Sequence, residues 1–352
     1  MEQKLTDLLE ELPKNNYNTY YQSSAGRGKH KTIMSTIPSP IAEPFSWDYE
    51  RTKEFLYRLS EILTPEEAER LNIQFENPSL KDIVPAALAP TVRGGIQLLK
   101  PGQKAPTHKH SPNAFRLILE APADDAYTVV NGVELPMHTG DLVLTPNWTW
   151  HDHHNDSSGD VIWFDGLDII FVYWIGGVFY SLPKGEKSPN TVAEDGNDNF
   201  NEYGSGLVPD TVHGELDYDP MFYYPYEKAR QALVSLAKTR TGESSVTLEY
   251  TNPITGGPVF PSMGLKLTMV RGGKTTPLIQ RTENKVVICM EGEGEITLSS
   301  GKKIELKSHN VAVIPSWEQH RISSGSSDLV LFTYSDEPIF RAMKLFRENL
   351  SK

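Results

Sequence analysis

Half of the ten histidines in this 352-residue chain lie in two short clusters. They are His108, His110, His151, His153 and His154. Each cluster follows a glycine, Gly102 or Gly140, which suits a turn ahead of a strand. Side chains two apart on a strand point to the same face, so His108 and His110 could share one interior and a neighbouring strand could add His151. Three imidazoles that leave coordination positions open predict a catalytic metal site.

The elements that must position these histidines are predicted to be mostly strands. Short β-rich runs alternate with Gly, Pro, Asn and Asp, which favours barrels or sandwiches over βαβ units. Helical periodicity is limited to residues 48–63, 226–237 and 338–350, with a capping box that restarts a helix at 64–67. The apolar run 169–180 is shorter than the roughly 20 residues that cross a bilayer, and it predicts buried sheet.

The chain contains two copies of one β module. Residues 146–151 (PNWTWH) and 315–320 (PSWEQH) share Pro, Trp and His at one constant offset. A polar stretch at 188–206 separates the two copies. The predicted organisation is an N-terminal helical extension at 1–85, a metal-binding module at 86–183, a linker and helix at 184–245, and a second module at 246–352.

The second copy lacks two of the three candidate metal-ligating histidines. Counting from Gly273, the positions of the two clustered histidines fall on Ile279 and Arg281, and only His320 survives. One histidine cannot hold a catalytic metal, so this module is predicted to serve packing and oligomer formation.

The two clusters resemble the two motifs of the cupin superfamily, in which His-x-His precedes a Glu and a later strand supplies a third His. The resemblance implies an all-β fold with peripheral helices, a duplicated cupin of double-stranded β-helix barrels, or bicupin. Two departures stand out: the Glu window falls on Ala114 and Phe115, and Trp148 replaces a Gly. Three neutral imidazoles remain, which argues against an oxalate decarboxylase-type manganese bicupin.

Further motifs over most of the chain look like the gentisate 1,2-dioxygenase family with its salicylate and 1-hydroxy-2-naphthoate relatives. They lie at 76–80 (ENPSL), 101–110 (PGQKAPTHKH), 148–153 (WTWHDH), 165–168 (DGLD), 252–258 (NPITGGP) and 332–338 (FTYSDEP). The resemblance implies one non-haem Fe(II) per chain on His108, His110 and His151, and a homo-oligomer, often a tetramer. It also implies insertion of both atoms of O2 between the carboxyl-bearing C1 and the hydroxyl-bearing C2 of a 2-hydroxybenzoate, gentisate first.

Matching this family position by position implies further site residues. Arg116 corresponds to an arginine near the substrate carboxylate and the O2 site, where a guanidinium could neutralise developing negative charge. His153 corresponds to a histidine used for hydrogen bonding or proton transfer. Gln97 could bond the substrate carboxylate, and Asp165 could orient a ligand or a ring substituent.

Arg93 is the clearest departure from this family. Many gentisate enzymes have Trp there, whereas this chain reads TVRGG over 91–95. Exchange of an aromatic wall for a cation could favour another salicylate, for instance one with an electron-withdrawing 5-substituent such as nitro. Salicylate and 1-hydroxy-2-naphthoate also remain as candidate substrates. Alternatively, Arg93 is a solvated loop residue that pairs with an acidic side chain and does not contact the substrate.

Composition and charge exclude several classes of function. The formal net charge of −12, from 34 Lys and Arg against 46 Asp and Glu, disfavours nucleic acids and anionic membranes as partners. The N-terminus lacks an apolar signal region, and the single Cys289 allows no internal disulfide, so the expected location is the cytoplasm. The partners that the family resemblance implies are a small aromatic acid and O2.

Two other classes remain as alternatives. Three histidines also suit a zinc- or manganese-dependent isomerase or hydrolase, which would turn over without O2. Loss of the metal set in the second module is compatible with a non-catalytic ligand-binding or storage bicupin.

Overall fold

The computed structural model describes residues 2–19, 36–63, 70–122, 125–185, 188–192, 198–212, 216 and 218–351. Residues 1–40 and 41–352 form separate compact units. The first unit contains helix α1 (Glu2–Lys14), which the helical periods identified in the sequence do not include. Its leucines at 5, 8, 9 and 12 follow the spacing of one helix face.

The described part of the second unit has five helices. They are α2 (Tyr49–Ile62), α3 (Ile169–Trp174), α4 (Asn199–Tyr203), α5 (Tyr226–Thr239) and α6 (Glu337–Ala342). Helix α2 begins after Asp48, whose carboxylate accepts the backbone N–H of Arg51 at 2.9 Å, and it buries Tyr49 and Leu56. None of the described helices is long and apolar enough to span a membrane.

The first barrel consists of two antiparallel sheets. Its strands are β2 (Leu71–Gln74), β3 (Arg93–Leu99), β4 (Lys104–His110), β5 (Ala114–Glu120), β6 (Ala126–Val130), β7 (Val133–Pro136), β8 (Leu142–Thr145), β9 (His151–Asn155), β10 (Val161–Leu167), β11 (Tyr180–Ser181) and β12 (Tyr223–Tyr224). The sheet orders are β12-β8-β5-β10-β3-β2 and β11-β4-β9-β6-β7. Strands β5 and β10 are buried almost throughout, which explains their continuous apolar runs.

The second barrel repeats this arrangement. Its strands are β13 (Ser245–Glu249), β14 (Gly264–Val270), β15 (Leu278–Arg281), β16 (Lys285–Glu291), β17 (Gly294–Leu298), β18 (Lys303–Leu306), β19 (Val311–Ile314), β20 (His320–Ser324), β21 (Leu329–Ser335) and β22 (Glu348–Ser351). The sheet orders are β1-β19-β16-β21-β14-β13, which includes the early strand β1 (Phe45–Trp47), and β18-β17-β20-β15-β22. The all-β fold predicted from the sequence is confirmed, with helices at the periphery.

The two barrels pack against each other through aromatic side chains. Phe115 lies 5.4 Å from Phe332 and 5.0 Å from Tyr334, measured between ring centroids, and Phe164 lies 5.8 Å from Tyr334. All four are fully buried in one apolar cluster that includes residues of both barrels. Because both barrels belong to one compact unit, the domain bounds read from the sequence stay a prediction.

Several local expectations are wrong. The run 169–180 is not buried sheet: it begins as helix α3, and most of its large apolar side chains after Phe171 are exposed. The helix expected over 338–350 ends at Ala342, and the chain then enters strand β22, which pairs with β15. Both expectations are based on the local pattern of apolar residues. That pattern does not show which strands pair or which segments are buried, because these are tertiary contacts. The helix restart at 64–67 lies outside the described residues.

Candidate metal centre and substrate cavity

Three histidines of the first barrel converge on one point. His108 on β4 and His151 on β9 are register partners, and His110 follows on the same face of β4. Their candidate ligand atoms all lie within 4.8 Å of one another. In the part of the chain that the structure describes, no other group of three His, Cys, Asp or Glu meets this criterion.

A hydrogen bond made by Nδ1 of each imidazole ring fixes the tautomer of that ring. Each Nδ1 lies at hydrogen-bond distance from a backbone carbonyl oxygen, so Nδ1–H donates and Nε2 keeps its lone pair. The acceptors for His108, His110 and His151 are the carbonyls of Pro106, Pro112 and Thr149, at 2.8, 2.8 and 2.9 Å. The buried Nε2 of His151 has no hydrogen-bond partner among the described residues. An orphaned buried acceptor beside two further imidazoles fits a bound metal cation.

All three imidazoles are neutral near pH 7. Burial, followed by the charge of Arg70, lowers the pKa of His108 to about 2. Burial, followed by the charge of Arg116, lowers the pKa of His110 to about 4. Burial, followed by His108, places the pKa of His151 well below its usual value. Neutral imidazoles bind a metal without first losing a proton.

Five of the eight site residues predicted from the sequence line one cavity of about 300 Å³ next to this cluster. They are Arg93, Gln97, His110, Arg116 and Asp165. His153 is not among the lining residues: it is buried deeper, with Nδ1 2.7 Å from the hydroxyl of Thr128 and its ring 6.1 Å from that of His151. The structure therefore brings seven of the eight predicted residues to the cavity or the histidine cluster and places the eighth behind it.

Arg116 is a buried cation held in a fixed orientation. Its Nε lies 3.0 Å from Oδ1 of Asp165, and its Nη1 donates to the hydroxyl of Thr145. Burial lowers the pKa of Arg116 to about 10, partly offset by Asp165, so the guanidinium stays charged near neutrality. Asp165 also accepts the indole N–H of Trp163 at 3.0 Å. Burial raises the pKa of Asp165 against the opposing effect of Arg116.

Gln97 and Arg93 lie on the adjoining strand β3. Gln97 is buried and pairs in register with Trp163 on β10 and Asn72 on β2. Arg93 is partly buried, and its guanidinium donates to the backbone carbonyls of Ala86 and Pro85, both at 3.2 Å. Burial lowers the pKa of Arg93. The structure thus pairs Arg93 with carbonyl oxygens, not with an acid.

Arg70 is a site residue that the sequence reading did not identify. It lines the cavity, and its Nη2 lies 2.8 and 2.6 Å from the two ring nitrogens of His108. Asn72 and Gln74 line the same cavity, on strand β2. A signal was present, because residues 71–74 (LNIQ) alternate apolar and polar side chains as a half-buried strand does.

The cavity mouth is formed by an exposed apolar segment. Val178, Phe179 and Tyr180 line the cavity and are 43%, 65% and 50% exposed. Trp148 packs edge-to-face on Phe179 at 6.2 Å between centroids and is itself partly exposed. Aromatic walls of this kind suit a flat apolar ligand with one polar edge.

Two duplicated barrels with a three-histidine cluster in the first define a bicupin with a candidate mononuclear metal centre. The Cupin domain family model matches residues 95–170, which include all three histidines. The fold class predicted from the sequence is confirmed.

Relatives of known function extend the match to most of the chain. Gentisate 1,2 dioxygenase 1 of Aquipseudomonas alcaligenes is 32% identical over 321 residues, 90% of each chain. The 5-aminosalicylate 1,2-dioxygenase of Comamonas sp. is 30% identical over 312 residues, 87% of this chain and 81% of the relative. The structure of salicylate 1,2-dioxygenase from Pseudoaminobacter salicylatoxidans with gentisate adducts covers 99% of this chain and 94% of that one, with a TM-score of 0.88 and 27% identity. The chain belongs to the gentisate and salicylate 1,2-dioxygenase family and is an aromatic ring-cleaving dioxygenase.

Proposed function

We propose that the chain is an Fe(II)-dependent dioxygenase that inserts both atoms of O2 between C1 and C2 of a 2-hydroxybenzoate, with gentisate as the first candidate. The observation that carries this proposal is the convergence of three neutral imidazoles beside a cavity lined by arginines. His108, His110 and His151 would hold one iron per chain. When bound, ferrous iron supplies the redox-active centre that lets O2 react with a closed-shell aromatic ring.

The charge balance of the site favours an anionic substrate. Three neutral ligands leave the charge of a bound cation uncompensated, and the cavity lining has three arginines, Arg70, Arg93 and Arg116, against one carboxylate, Asp165. These local charges offset the repulsion expected from a formal net charge of −12. A carboxylate beside a hydroxyl on an aromatic ring fits both the cations and the apolar wall.

Arg116 and Gln97 would orient the substrate. The fixed guanidinium of Arg116 can donate to the substrate carboxylate or stabilise negative charge that develops on oxygen. Gln97, on β3, which is separated from the strand of Arg116 by β10, offers an amide donor to the same carboxylate. Asp165 would act through Arg116, because its carboxylate sets the orientation of the guanidinium.

Arg70 would change partners when a metal binds. Its Nη2 lies 2.6 Å from Nε2 of His108, which is the nitrogen that a cation would use. A bound cation repels a guanidinium at that distance, so Arg70 would turn to the substrate carboxylate in the same cavity.

His153 would hold or pass a proton behind the metal centre. The Thr128 hydroxyl lies 2.7 Å from Nδ1 of His153 and 3.3 Å from the sulfur of Met137. A hydroxyl that donates to the sulfur accepts from Nδ1–H, which leaves Nε2 of His153 to take up a proton.

Arg93 supports a substrate with an electron-withdrawing 5-substituent, such as 5-nitrosalicylate, as the second candidate. Its guanidinium is held at the cavity wall by two backbone carbonyls and retains N–H groups that can point to partly negative oxygens. The relatives are named for acids that differ at this ring position, so the family alone does not choose among them. Salicylate and 1-hydroxy-2-naphthoate complete the set to be tested.

The direct test is oxygen uptake by anaerobically purified protein reloaded with ferrous iron. Gentisate should be consumed with O2 while a near-ultraviolet chromophore of the ring-opened acid appears. His108→Ala and His151→Ala should abolish both signals, whereas His320→Ala, at the matching place in the second barrel, should retain them. The proposal fails if none of gentisate, salicylate, 5-nitrosalicylate and 1-hydroxy-2-naphthoate is consumed.

We also propose that the active form is a homo-oligomer, a tetramer by family resemblance. The segment 173–182 exposes a contiguous series of large apolar side chains, including Trp174, Ile175 and Phe179. Soluble monomers rarely expose such a series, and a second copy of the chain would cover it. Sedimentation of the wild type and of Ile175→Lys tests this, because a monomeric wild type would overturn it.

A further inference from the structure

The second barrel encloses a cavity of its own, at the place that corresponds to the metal centre of the first. Its volume is about 410 Å³. Three basic residues, Lys266, Arg281 and Lys285, line it together with His320 and several threonines. Loss of the metal set has therefore left a cavity with a different chemistry.

The correspondence between the two cavities follows from strand register. Ile279 on β15 pairs with His320 on β20, as His108 on β4 pairs with His151 on β9. Arg281 stands at the position of His110. The backbone N–H of Trp317 donates to the carbonyl of Arg281, as the backbone N–H of Trp148 donates to the carbonyl of His110. An apolar side chain and a guanidinium thus stand where the first barrel has two imidazoles.

His320 presents an unpartnered acceptor to this cavity. The side chain is 3% exposed, and its Nδ1 lies 3.0 Å from the carbonyl oxygen of Glu318. Its Nε2 is buried and has no hydrogen-bond partner within the described ranges. Burial, followed by Lys285, lowers the pKa of His320 to about 4, so the ring is neutral near pH 7 and Nε2 accepts. A ligand that satisfies it must bring an N–H or O–H group.

The three basic side chains that line the cavity each pair with a carboxylate that does not line it. Lys285 lies 2.7 Å from Glu283, Arg281 lies 3.1 Å from Glu348, and Lys266 pairs with Glu337. None of these three acids lines the cavity, whereas all three cations do. The charged side chains that line the cavity are therefore cationic, and the carboxylates paired with them lie behind the lining, with Glu283 and Glu337 buried.

We propose that the second barrel is a metal-independent binding site for a small carboxylate that also carries a hydroxyl group. The carboxylate would accept from Arg281 and the two lysines, and the hydroxyl would donate to Nε2 of His320. An aromatic and an aliphatic hydroxy acid share this chemistry, so salicylate and lactate are the two probes. The site is independent of the reaction proposed for the first barrel, because none of its residues touches that cavity.

The experiment measures binding to the full-length protein after chelation of metal, by equilibrium dialysis and calorimetry. Salicylate or lactate should bind with one saturable site outside the first barrel. Benzoate, which lacks the hydroxyl, should bind about fivefold more weakly than salicylate, and phenol, which lacks the carboxylate, should not bind. Absence of saturable binding of both hydroxy acids up to about 10 mM would overturn the proposal.

Matched variants assign the site to one barrel. Ile279→Trp fills the second cavity and should abolish binding, whereas His108→Trp, at the equivalent position of the first barrel, should preserve it. His320→Phe should lower salicylate affinity to that of benzoate, whereas His151→Phe should not. Circular dichroism and iron-dependent ring cleavage show whether the second-barrel variants are folded. If Ile279→Trp does not fold, the binding measured for His320→Phe tests the proposal alone. Binding that survives His320→Phe unchanged and is lost in His108→Trp contradicts the assignment.

Discussion

At the scale of single residues, the cavity depends on guanidinium groups that are held in place by the protein. Arg116 contacts Asp165 and Thr145, and Arg93 contacts two backbone carbonyls. A planar guanidinium can keep such contacts and still donate to a ligand, whereas an ammonium is a single point charge. Both arginines thus line one cavity while protein contacts hold their guanidinium groups.

Arg116→Lys should lower kcat/KM for gentisate by at least about tenfold. The charge is kept, but the lysine ammonium cannot bond Asp165, Thr145 and the substrate in the same planar geometry. Steady-state oxygen uptake measures the effect, with the exposed Arg321→Lys of the second barrel as control. An unchanged kcat/KM would show that Arg116 does not contact the substrate.

Arg93→Trp should lower the ratio of kcat/KM for 5-nitrosalicylate over gentisate by about tenfold. The substitution removes one charge-assisted donor near the ring substituent and restores an aromatic wall. Arg93→Met removes the charge without adding a ring, and so separates the two causes. If neither variant changes the relative rates, position 93 does not select the substrate.

At the scale of elements, a duplicated aspartate ties the end of one strand to the start of another in each barrel. Asp168 accepts from the backbone and side-chain N–H groups of Asn113, both at 2.8 Å, and Asp336 does the same with Asn284, both at 2.7 Å. Each aspartate also reaches into the other barrel. Asp168 accepts from the hydroxyl of Ser262, and Asp336 accepts from that of Thr91 at 2.6 Å.

Asp168→Ala and Asp336→Ala should each lower the thermal midpoint by about 5 °C or more. Removal of the buried carboxylate leaves two buried amide donors and one hydroxyl without this partner in each case. Circular dichroism melting measures the loss, and the exposed Asp156→Ala is the control. A midpoint within about 1 °C of wild type for either variant would contradict the structural role assigned to the pair.

At the scale of the whole molecule, the pH dependence of stability should include the protonation of one buried acid, Asp219. Asp219 is a buried residue that precedes β12 in the chain. Its carboxylate accepts from the backbone N–H of Met221 at 2.8 Å. Burial raises the pKa of Asp219 to about 7, against the opposing effect of this hydrogen bond and of a second one from the hydroxyl of Tyr224. The folded state then holds a proton that the unfolded chain releases above about pH 4.

Asp219→Asn should therefore be more stable than wild type at pH 8, by about 2–4 kcal/mol. The raised pKa contributes stability that is present at low pH and is lost as the pH rises through about 7. The advantage of the variant should shrink as the pH falls from 8 to 5. Urea unfolding at both pH values tests this, and an advantage that does not change with pH would contradict it.

The two barrels differ in the residues that stand at the candidate metal-ligand positions. The first barrel keeps the three-histidine cluster, and the second keeps the same strand order with Ile279 and Arg281 in place of two ligands. The shared aromatic core holds both barrels in one compact unit.

The sequence by itself determined the all-β duplication and the candidate ligands His108, His110 and His151, because strand period is a local property of the chain and the repeat is visible from residue types alone. Only the tertiary structure decided that Arg70 lies against His108, since β2 reaches the cavity through pairing with β3. It also decided that the apolar run 169–180 is largely exposed, because apolar composition alone does not distinguish a buried strand from an exposed segment. Contacts between distant parts of the chain are global properties, and no local pattern encodes them.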